Sequence, residues 1–210
     1  MFPISIKRIP SKIHGMLEVN LQNGKLVLDT ESSNYSYGTL QEILHRGLKE
    51  IGFGSNQKNV LVLGMGAGSI VATIREKFKS NAFIELVEID PLIIEIARTT
   101  FHLDTFENTS IIEADALLYM EKRQRKFDLI IVDLFIKDKV PAAFTQTDFL
   151  KKLGEGLNAN GQIIYNTMRK TMPNNEHLLI EAGFKSQGLE VKVIARVCGS
   201  NNLILAHKIH

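Results

Sequence analysis

The chain has 210 residues, of which 44% are apolar and 23% charged, a composition typical of a soluble globular domain. Lysine and arginine number 25 against 23 for aspartate and glutamate, a formal net charge of +2. This balance argues against a dedicated binder of nucleic acid or of an anionic membrane. The single cysteine, Cys198, cannot form an internal disulfide, and no Cys/His cluster has zinc-finger spacing. We therefore expect a cytoplasmic protein without a bound metal.

The sequence pattern also predicts no hydrophobic segment that would direct the chain to a membrane. The start of the sequence has no continuous apolar run of the kind found in a secretory signal. The longest uncharged stretch, residues 59–74, is shorter than the roughly twenty apolar residues of a transmembrane helix. The sequence thus predicts a soluble protein.

The first region, residues 1–54, reads as a β-hairpin followed by a helix. Apolar and polar residues alternate over 17–21, and a second strand pattern covers 25–28. Asn23-Gly24 lies between them, and this dipeptide favours a tight hairpin turn because both residues adopt positive φ. After a polar stretch, apolar residues at helical spacing predict a helix over 40–48.

The second region, residues 55–210, alternates strands with helices. The predicted strands are 60–63, 83–89, 110–114, 127–133, 161–168, 189–197 and 203–208. The predicted helices are 69–78, one beginning at Asp90-Pro91, 116–122, 147–157 and 175–183. The last two strands must be antiparallel, because the five residues between them cannot form a crossover. We expect an α/β fold with a doubly wound, mostly parallel seven-stranded sheet, a reversed last strand and a small N-terminal β-hairpin.

In such sheets ligands bind beyond the carboxyl ends of the strands. The first strand ends in Gly64-Met65-Gly66-Ala67-Gly68-Ser69, where glycines allow a sharp turn and a close approach to a ligand. The dinucleotide fingerprint needs a glycine at the sixth place, which is Ser69 here. Glycines at the first, third and fifth places are typical of S-adenosylmethionine sites, although such turns also occur for packing reasons.

Acidic residues end the next two strands. Glu88, in the sequence Glu88-Ile89-Asp90, can accept hydrogen bonds from both ribose hydroxyls, whereas Asp90 is better explained as a helix cap. Asp115 can accept a hydrogen bond from an adenine amine while the N–H of Ala116 binds a ring nitrogen. The alternatives are a solvated strand end for Glu88 and a helix cap for Asp115. Together with the glycine loop, the two acids favour an adenosyl ligand.

The fourth strand ends in Asp133, after a run of apolar residues. A carboxylate there faces the crevice, since burial without a partner is costly. It can orient a nucleophile, attract a cationic amine or accept a proton. The alternative is a structural role, such as capping the following turn.

These motifs resemble spermidine synthases and their relatives, which have the class I S-adenosylmethionine-dependent methyltransferase fold with an added N-terminal β-domain. The resemblance covers roughly residues 15–170. It implies that the Gly64–Gly68 loop holds the nucleoside sulfonium, that Glu88 holds the ribose and that Asp115 holds the adenine. It also implies that Asp133 works with Tyr37 on the attacking amine.

The chain departs from this family where the polyamine half of the site should be. Aminopropyl transfer uses decarboxylated S-adenosylmethionine, whose free amine is held in the family by an aspartate at the position of Ala67. The second polyamine-binding aspartate corresponds to Ile136, with Asp138 nearby, and the glutamine before the helix falls at about Leu28. Losing the acid at 67 also removes repulsion against the carboxylate of ordinary S-adenosylmethionine, each effect being on the order of a few kcal/mol.

The leading hypothesis is therefore an S-adenosylmethionine-dependent transferase that methylates a small molecule, with Asp133 and Tyr37 orienting the nucleophile. The first alternative is an aminopropyltransferase that uses decarboxylated S-adenosylmethionine, with Asp138 and Glu31 replacing the missing acids. A second is a non-catalytic adenosyl-binding module, and an NAD-dependent oxidoreductase is a distant third. The partners expected are a small acceptor such as an amine, and a second copy of the chain, because the N-terminal hairpin has an exposed edge.

Overall fold

In the computed structural model of the chain, residues 4–30, 34–136, 139–168 and 176–209 are described. The strands are β1 (Ile4–Ser11), β2 (Gly15–Gln22), β3 (Lys25–Thr30), β4 (Asn34–Ser36), β5 (Asn59–Leu63), β6 (Phe83–Glu88), β7 (Thr109–Glu113), β8 (Phe127–Val132), β9 (Leu157–Met168), β10 (Glu190–Val197) and β11 (Asn201–His207). The helices are α1 (Gly38–Glu50), α2 (Ser69–Glu76), α3 (Pro91–Thr99), α4 (Ala116–Lys122), α5 (Thr147–Glu155) and α6 (Glu176–Lys185).

The larger sheet has seven strands in the described part of the chain, in the order β10-β11-β9-β8-β5-β6-β7. Pairs among β5 to β9 are parallel, and β11 is antiparallel to both of its neighbours. The predicted doubly wound sheet with a reversed last strand is confirmed. Strands β5 and β8 lie next to each other at its centre. From β5 the chain continues outward through β6 to β7 and then returns to β8, so the strand order reverses between β5 and β8. This reversal opens a crevice at the carboxyl ends of the two strands.

Helices cover both faces of this sheet. One apolar cluster packs α1, α2 and α3 against the sheet, and a second packs α4, α5 and α6 against the opposite face. Burial on both faces explains why the central strands are continuous apolar runs, since a parallel strand between two helix layers has no solvent side. Among the described residues, no helix is long and apolar enough to cross a membrane.

Within the described residues, the N-terminal sheet has four antiparallel strands in the order β1-β2-β3-β4, rather than the two of the predicted hairpin. The Asn23-Gly24 turn is confirmed, with φ of 51° and 77°. Strand β1 was not predicted, because it is an exposed edge strand whose apolar residues Ile4 and Ile6 face solvent and give no burial pattern. The polar stretch after the hairpin, residues 29–36, was expected to be a loop. Instead, residues 29–30 end β3 and Asn34–Ser36 form β4.

Strand β9 begins four residues earlier than predicted, at Leu157 instead of Gly161. This first part carries polar, exposed residues and a positive φ of 59° at Asn160, and the pairing register shifts between Phe127 and Leu129 of β8. An irregular strand of this kind lacks the apolar pattern from which its start could be located.

Candidate functional site

A cavity of about 220 Å³ lies at the carboxyl ends of the four neighbouring strands β5 to β8. Six of the predicted site residues line it: Gly64, Glu88, Ile89, Asp115, Ala116 and Asp133. The remainder of the wall is mostly apolar and comes from the segment after β8, the turn between β1 and β2, and residues beside the acids at the ends of β6 and β7. The sequence thus identified side chains far apart in the chain that meet at one cavity.

The glycine loop after β5 has backbone geometry that other residues rarely adopt. Gly64 and Gly68 each have a φ of 83°. A Cβ at Gly64 would overlap the main-chain carbonyl of Asp133, and one at Gly68 would lie 2.6 Å from a methyl group of Leu103. Close packing against other protein atoms therefore explains why both positions are glycine. A ligand that approaches the loop closely would have the same requirement. Within the same loop, Met65 is buried in the apolar core.

Glu88 is the most enclosed acid of the cavity, with 3% of its surface exposed. Its Oε1 accepts hydrogen bonds from the N–H groups of Ile89 (2.9 Å) and Asp90 (3.1 Å). Burial raises the pKa of Glu88 to about 7, while the nearby backbone N–H groups of Asp90, Ile89 and Gly66 act in the opposite direction. Its Oε2 is buried and has no hydrogen-bond partner among the described residues. Such an atom is costly unless a ligand donates to it.

Asp90 caps α3, as predicted, by accepting a hydrogen bond from the N–H of Leu92 (2.9 Å). It also anchors the N-terminal sheet, since Ser11 Oγ donates to Asp90 Oδ2 at 2.5 Å. The same Ser11 oxygen accepts the N–H groups of Ile13 and His14, both at 3.0 Å. The β1–β2 turn is thereby held at the cavity, and Ile13 and His14 line it.

Sequence reasoning missed this turn. Its local signal is a serine followed by three residues and Gly15, which is compatible with a turn closed by the serine side chain. Nothing in the pattern connects Ser11 to Asp90, 79 residues away. Burial lowers the pKa of His14, while the charge of Asp90 acts in the opposite direction.

Asp115 forms the helix cap that the sequence left open as an alternative. Its Oδ1 accepts the N–H groups of Leu117 (2.7 Å) and Leu118 (3.2 Å) at the start of α4. Asp115 nevertheless lines the cavity with Ala116. Because one oxygen satisfies the cap, the two interpretations of Asp115 are compatible.

Asp133 lies at the end of β8, and its main-chain N–H donates to the carbonyl of Leu63 at 2.9 Å. Its side chain faces the cavity but is largely enclosed by protein, and this burial raises its pKa to about 7. Asn166 Nδ2 donates to Asp133 Oδ1 at 2.8 Å, which lowers the pKa in opposition to burial. A carboxyl group with a pKa near neutrality can exchange a proton with a substrate at physiological pH. Asn166 was not predicted.

Tyr37 is placed differently from Asp133. Its ring stacks on Phe101 with centroids 4.8 Å apart, and it packs beside the apolar cluster between the N-terminal sheet and α3. It is not among the described residues that line the cavity. Burial, and then the charge of Glu76, raises its pKa to about 12. Its backbone has φ 65° and ψ −169°, a region that is costly for a residue other than glycine. The catalytic role of Tyr37 stays a prediction.

Ala67 faces an apolar environment. It is fully buried in a third cluster, whose other members are Leu17, Val19, Leu28, Ile93 and Ile96. Leu28, at about the position of the family's glutamine, belongs to the same cluster, while Ile136 is 46% exposed. Apolar side chains therefore surround Ala67, the position at which the family has the aspartate for the free amine. The proposed substitutes Glu31 and Asp138 lie outside the described residues. Among the described residues, no cluster of His, Cys, Asp and Glu could hold a metal ion.

Comparisons with known proteins identify the family. The Spermine/spermidine synthase domain matches residues 37–195. A polyamine aminopropyltransferase of Vibrio vulnificus is 27% identical over 118 residues, which are 55% of this chain and 39% of that protein. The chain thus spans well under half the length of this curated relative.

Two solved structures are similar in fold. A probable spermidine synthase from Corynebacterium glutamicum superposes with a TM-score of 0.77 at 17% identity, covering 99% of this chain and 80% of the other. Human methyltransferase-like protein 13 in complex with SAH gives a TM-score of 0.59 at 25% identity, covering 82% and 79%. With the family match spanning most of the sequence, the chain belongs to the spermine/spermidine synthase family, and its larger sheet has the class I methyltransferase fold.

Proposed function

We propose that the cavity binds the adenosyl part of a sulfonium nucleoside, either S-adenosylmethionine or its decarboxylated form. The observation that carries this proposal is the buried Oε2 of Glu88, which needs a donor that the described residues do not supply. The hydroxyls of a ribose are such donors. Asp115 and the N–H of Ala116 then face the adenine, whose ring contacts Ile89.

The reaction is transfer of an alkyl group from sulfur to an acceptor amine. The amine nitrogen attacks the carbon attached to the sulfonium, the carbon–sulfur bond breaks, and its electron pair neutralises the sulfur to give a thioether. The proton released by the amine goes to Asp133 or to water. The main contribution of the protein is to hold donor and acceptor in line at close distance.

Aminopropyl transfer to a small amine is the form of this reaction that the family supports best. The domain match and the aminopropyltransferase relative both favour it over methyl transfer, which was our leading hypothesis from the sequence. Under this proposal the donor is decarboxylated S-adenosylmethionine and the acceptor is a polyamine or a related amine.

Methyl transfer remains a second candidate because of Ala67. Decarboxylated S-adenosylmethionine carries a cationic amine, and a cation placed against the apolar cluster around Ala67 has no partner there. The similarity to human methyltransferase-like protein 13, solved in complex with SAH, supports this candidate.

Calorimetric titration of the purified chain with both donors, followed by assays with putrescine, separates the two reactions. Preference for the decarboxylated donor together with spermidine formation supports aminopropyl transfer. Preference for S-adenosylmethionine without spermidine formation supports methyl transfer to another acceptor. Tight binding of either donor with no turnover in a screen of amines indicates an adenosyl-binding module, and binding of neither overturns the proposal.

A further inference from the structure

Three side chains form a continuous hydrogen-bonded line that ends on Asp133. Ser200 Oγ donates to Asn201 Oδ1 at 2.7 Å, and Asn201 Nδ2 donates to Asn166 Oδ1 at 2.9 Å. Asn166 Nδ2 then donates to Asp133 Oδ1 at 2.8 Å. We call Ser200, Asn201 and Asn166 the amide relay. Its two asparagines are 0% and 3% exposed, and the hydrogen bond between them is buried.

The relay has a direction. The carboxylate of Asp133 can only accept, so Asn166 directs its NH₂ group to Asp133 and its Oδ1 to the NH₂ group of Asn201, whose own Oδ1 accepts from Ser200 Oγ. Turning either amide around would place two acceptors or two donors against each other. The network therefore presents a fixed N–H donor to one oxygen of Asp133.

Strand pairing sets these residues side by side. Asn166 of β9 pairs with Leu203 of β11, so Asn201 lies diagonally across from it on the same face of the sheet. On the other side of β9, Tyr165 pairs with Val132, the residue before Asp133. The relay thus runs across β9 from the β10–β11 turn to the end of β8.

Polar side chains at such buried positions are expensive unless all of them are satisfied. Next to Asn201 on β11, Asn202 is also buried, but its side chain accepts from the N–H of Arg196 outside the relay, and the following residues Leu203 and Ile204 are apolar. Asn201 and Asn166 are buried amides whose hydrogen bonds lead to Asp133. We therefore attribute their presence in the sheet interior to their effect on Asp133.

We propose that Asn166 is a positioning residue for Asp133, held in the required amide orientation by Asn201. With Oδ1 bound to Asn166, the rotation of the carboxyl group is fixed and Oδ2 is left for the acceptor amine. The part of this inference that concerns the acceptor rests on the proposed function. The part that concerns Asp133 itself does not.

The test is an NMR titration of the Asp133 carboxyl carbon in ¹³C-labelled protein, with the signal assigned by Asp133→Asn. In Asn166→Ala the midpoint rises by about half to one pH unit, because the carboxylate loses a donor. In Asn201→Leu, which leaves Asn166 in place but frees its amide, it rises by less. Asn158→Ala is the matched control: its amide donates to Asp128 Oδ1 at 2.7 Å near the opposite end of β8, and it leaves the midpoint unchanged.

An unchanged midpoint in folded Asn166→Ala overturns the proposal. If that variant does not fold, Asn201→Leu decides, and an unchanged midpoint there has the same meaning. With an active donor and acceptor pair, Asn166→Ala lowers kcat and leaves the KM of the donor unchanged, and Asn166→Gln restores part of the loss. If the wild type catalyses no transfer, the proposed function fails while the titration still tests the relay.

Discussion

Gly64 lies directly against the main-chain carbonyl of Asp133, so that a Cβ at position 64 would overlap its oxygen. This contact joins the glycine loop after β5 to the acid at the end of β8. It is strengthened by the hydrogen bond from the N–H of Asp133 to Leu63. The glycine loop and Asp133 are thus held together by backbone packing.

From this contact we predict the effect of Gly64→Ala. The substitution combines an unfavourable positive φ with a clash against backbone, and we expect it to lower the free energy of unfolding by about 2–4 kcal/mol. Gly24→Ala is the control, since Gly24 has a φ of 77° but no atom within 4 Å of a Cβ. It should cost only about 1 kcal/mol. Urea unfolding of both variants measures the difference, and equal losses would refute a tight contact at Gly64.

The second prediction concerns Asp133 and pH. Its pKa is about 7 in the folded protein and near 3.8 when unfolded, so the folded chain binds the proton more tightly. This contribution to stability is fully present below pH 3.8 and is lost as pH rises through 7. Asp133→Asn carries no such charge, and its stability relative to the wild type should rise between pH 4 and pH 8 by about 2–4 kcal/mol.

Urea unfolding at several pH values measures this trend. Tyr37→Phe serves as the control, because burial raises the pKa of Tyr37 to about 12, far above this range, and its stability difference from the wild type should stay constant. A pH-independent difference for Asp133→Asn would mean that the carboxyl group is not buried as described.

The third prediction is that the site around Ala67 rejects a carboxylate. Ala67→Asp buries a charge among aliphatic side chains and should lower the free energy of unfolding by about 3 kcal/mol or more. Ala195→Asp, at an exposed position of β10, should cost about 1 kcal/mol or less. If Ala67→Asp proves as stable as the control and also tightens binding of decarboxylated S-adenosylmethionine, position 67 contacts the donor and methyl transfer loses its main support.

The fold was largely predictable from the sequence, and the reason is visible in particular strands. Strand β8 ends in four apolar residues followed by Asp133, and Asp90-Pro91 marks the start of α3 by a cap that the structure confirms. Strand β1 escaped prediction because both of its faces are exposed over most of its length. Sequence patterns report burial, and an edge strand in solvent produces none.

The site was predictable where its residues follow strand ends, and unpredictable where it depends on contacts between distant segments. Glu88, Asp115 and Asp133 could be aligned because parallel strands end at one edge of the sheet. Asn166 follows an apolar stretch within β9, Ser11 ends β1, and His14 lies in the turn after it. Their roles depend on strand order and sheet packing, which short-range patterns do not contain.

We propose above that the four strand ends bind an adenosyl sulfonium nucleoside through Glu88. The most direct test is calorimetry, in which S-adenosylmethionine or its decarboxylated form is titrated into the wild type and into Glu88→Gln. The amide has one acceptor oxygen instead of two, and its NH₂ group would face either the N–H groups of Ile89 and Asp90 or the ribose hydroxyls. We predict saturable binding of at least one donor to the wild type and a loss of about tenfold or more in its affinity for Glu88→Gln. Equal affinity in the two proteins, or no binding of either donor to the wild type, would contradict the account.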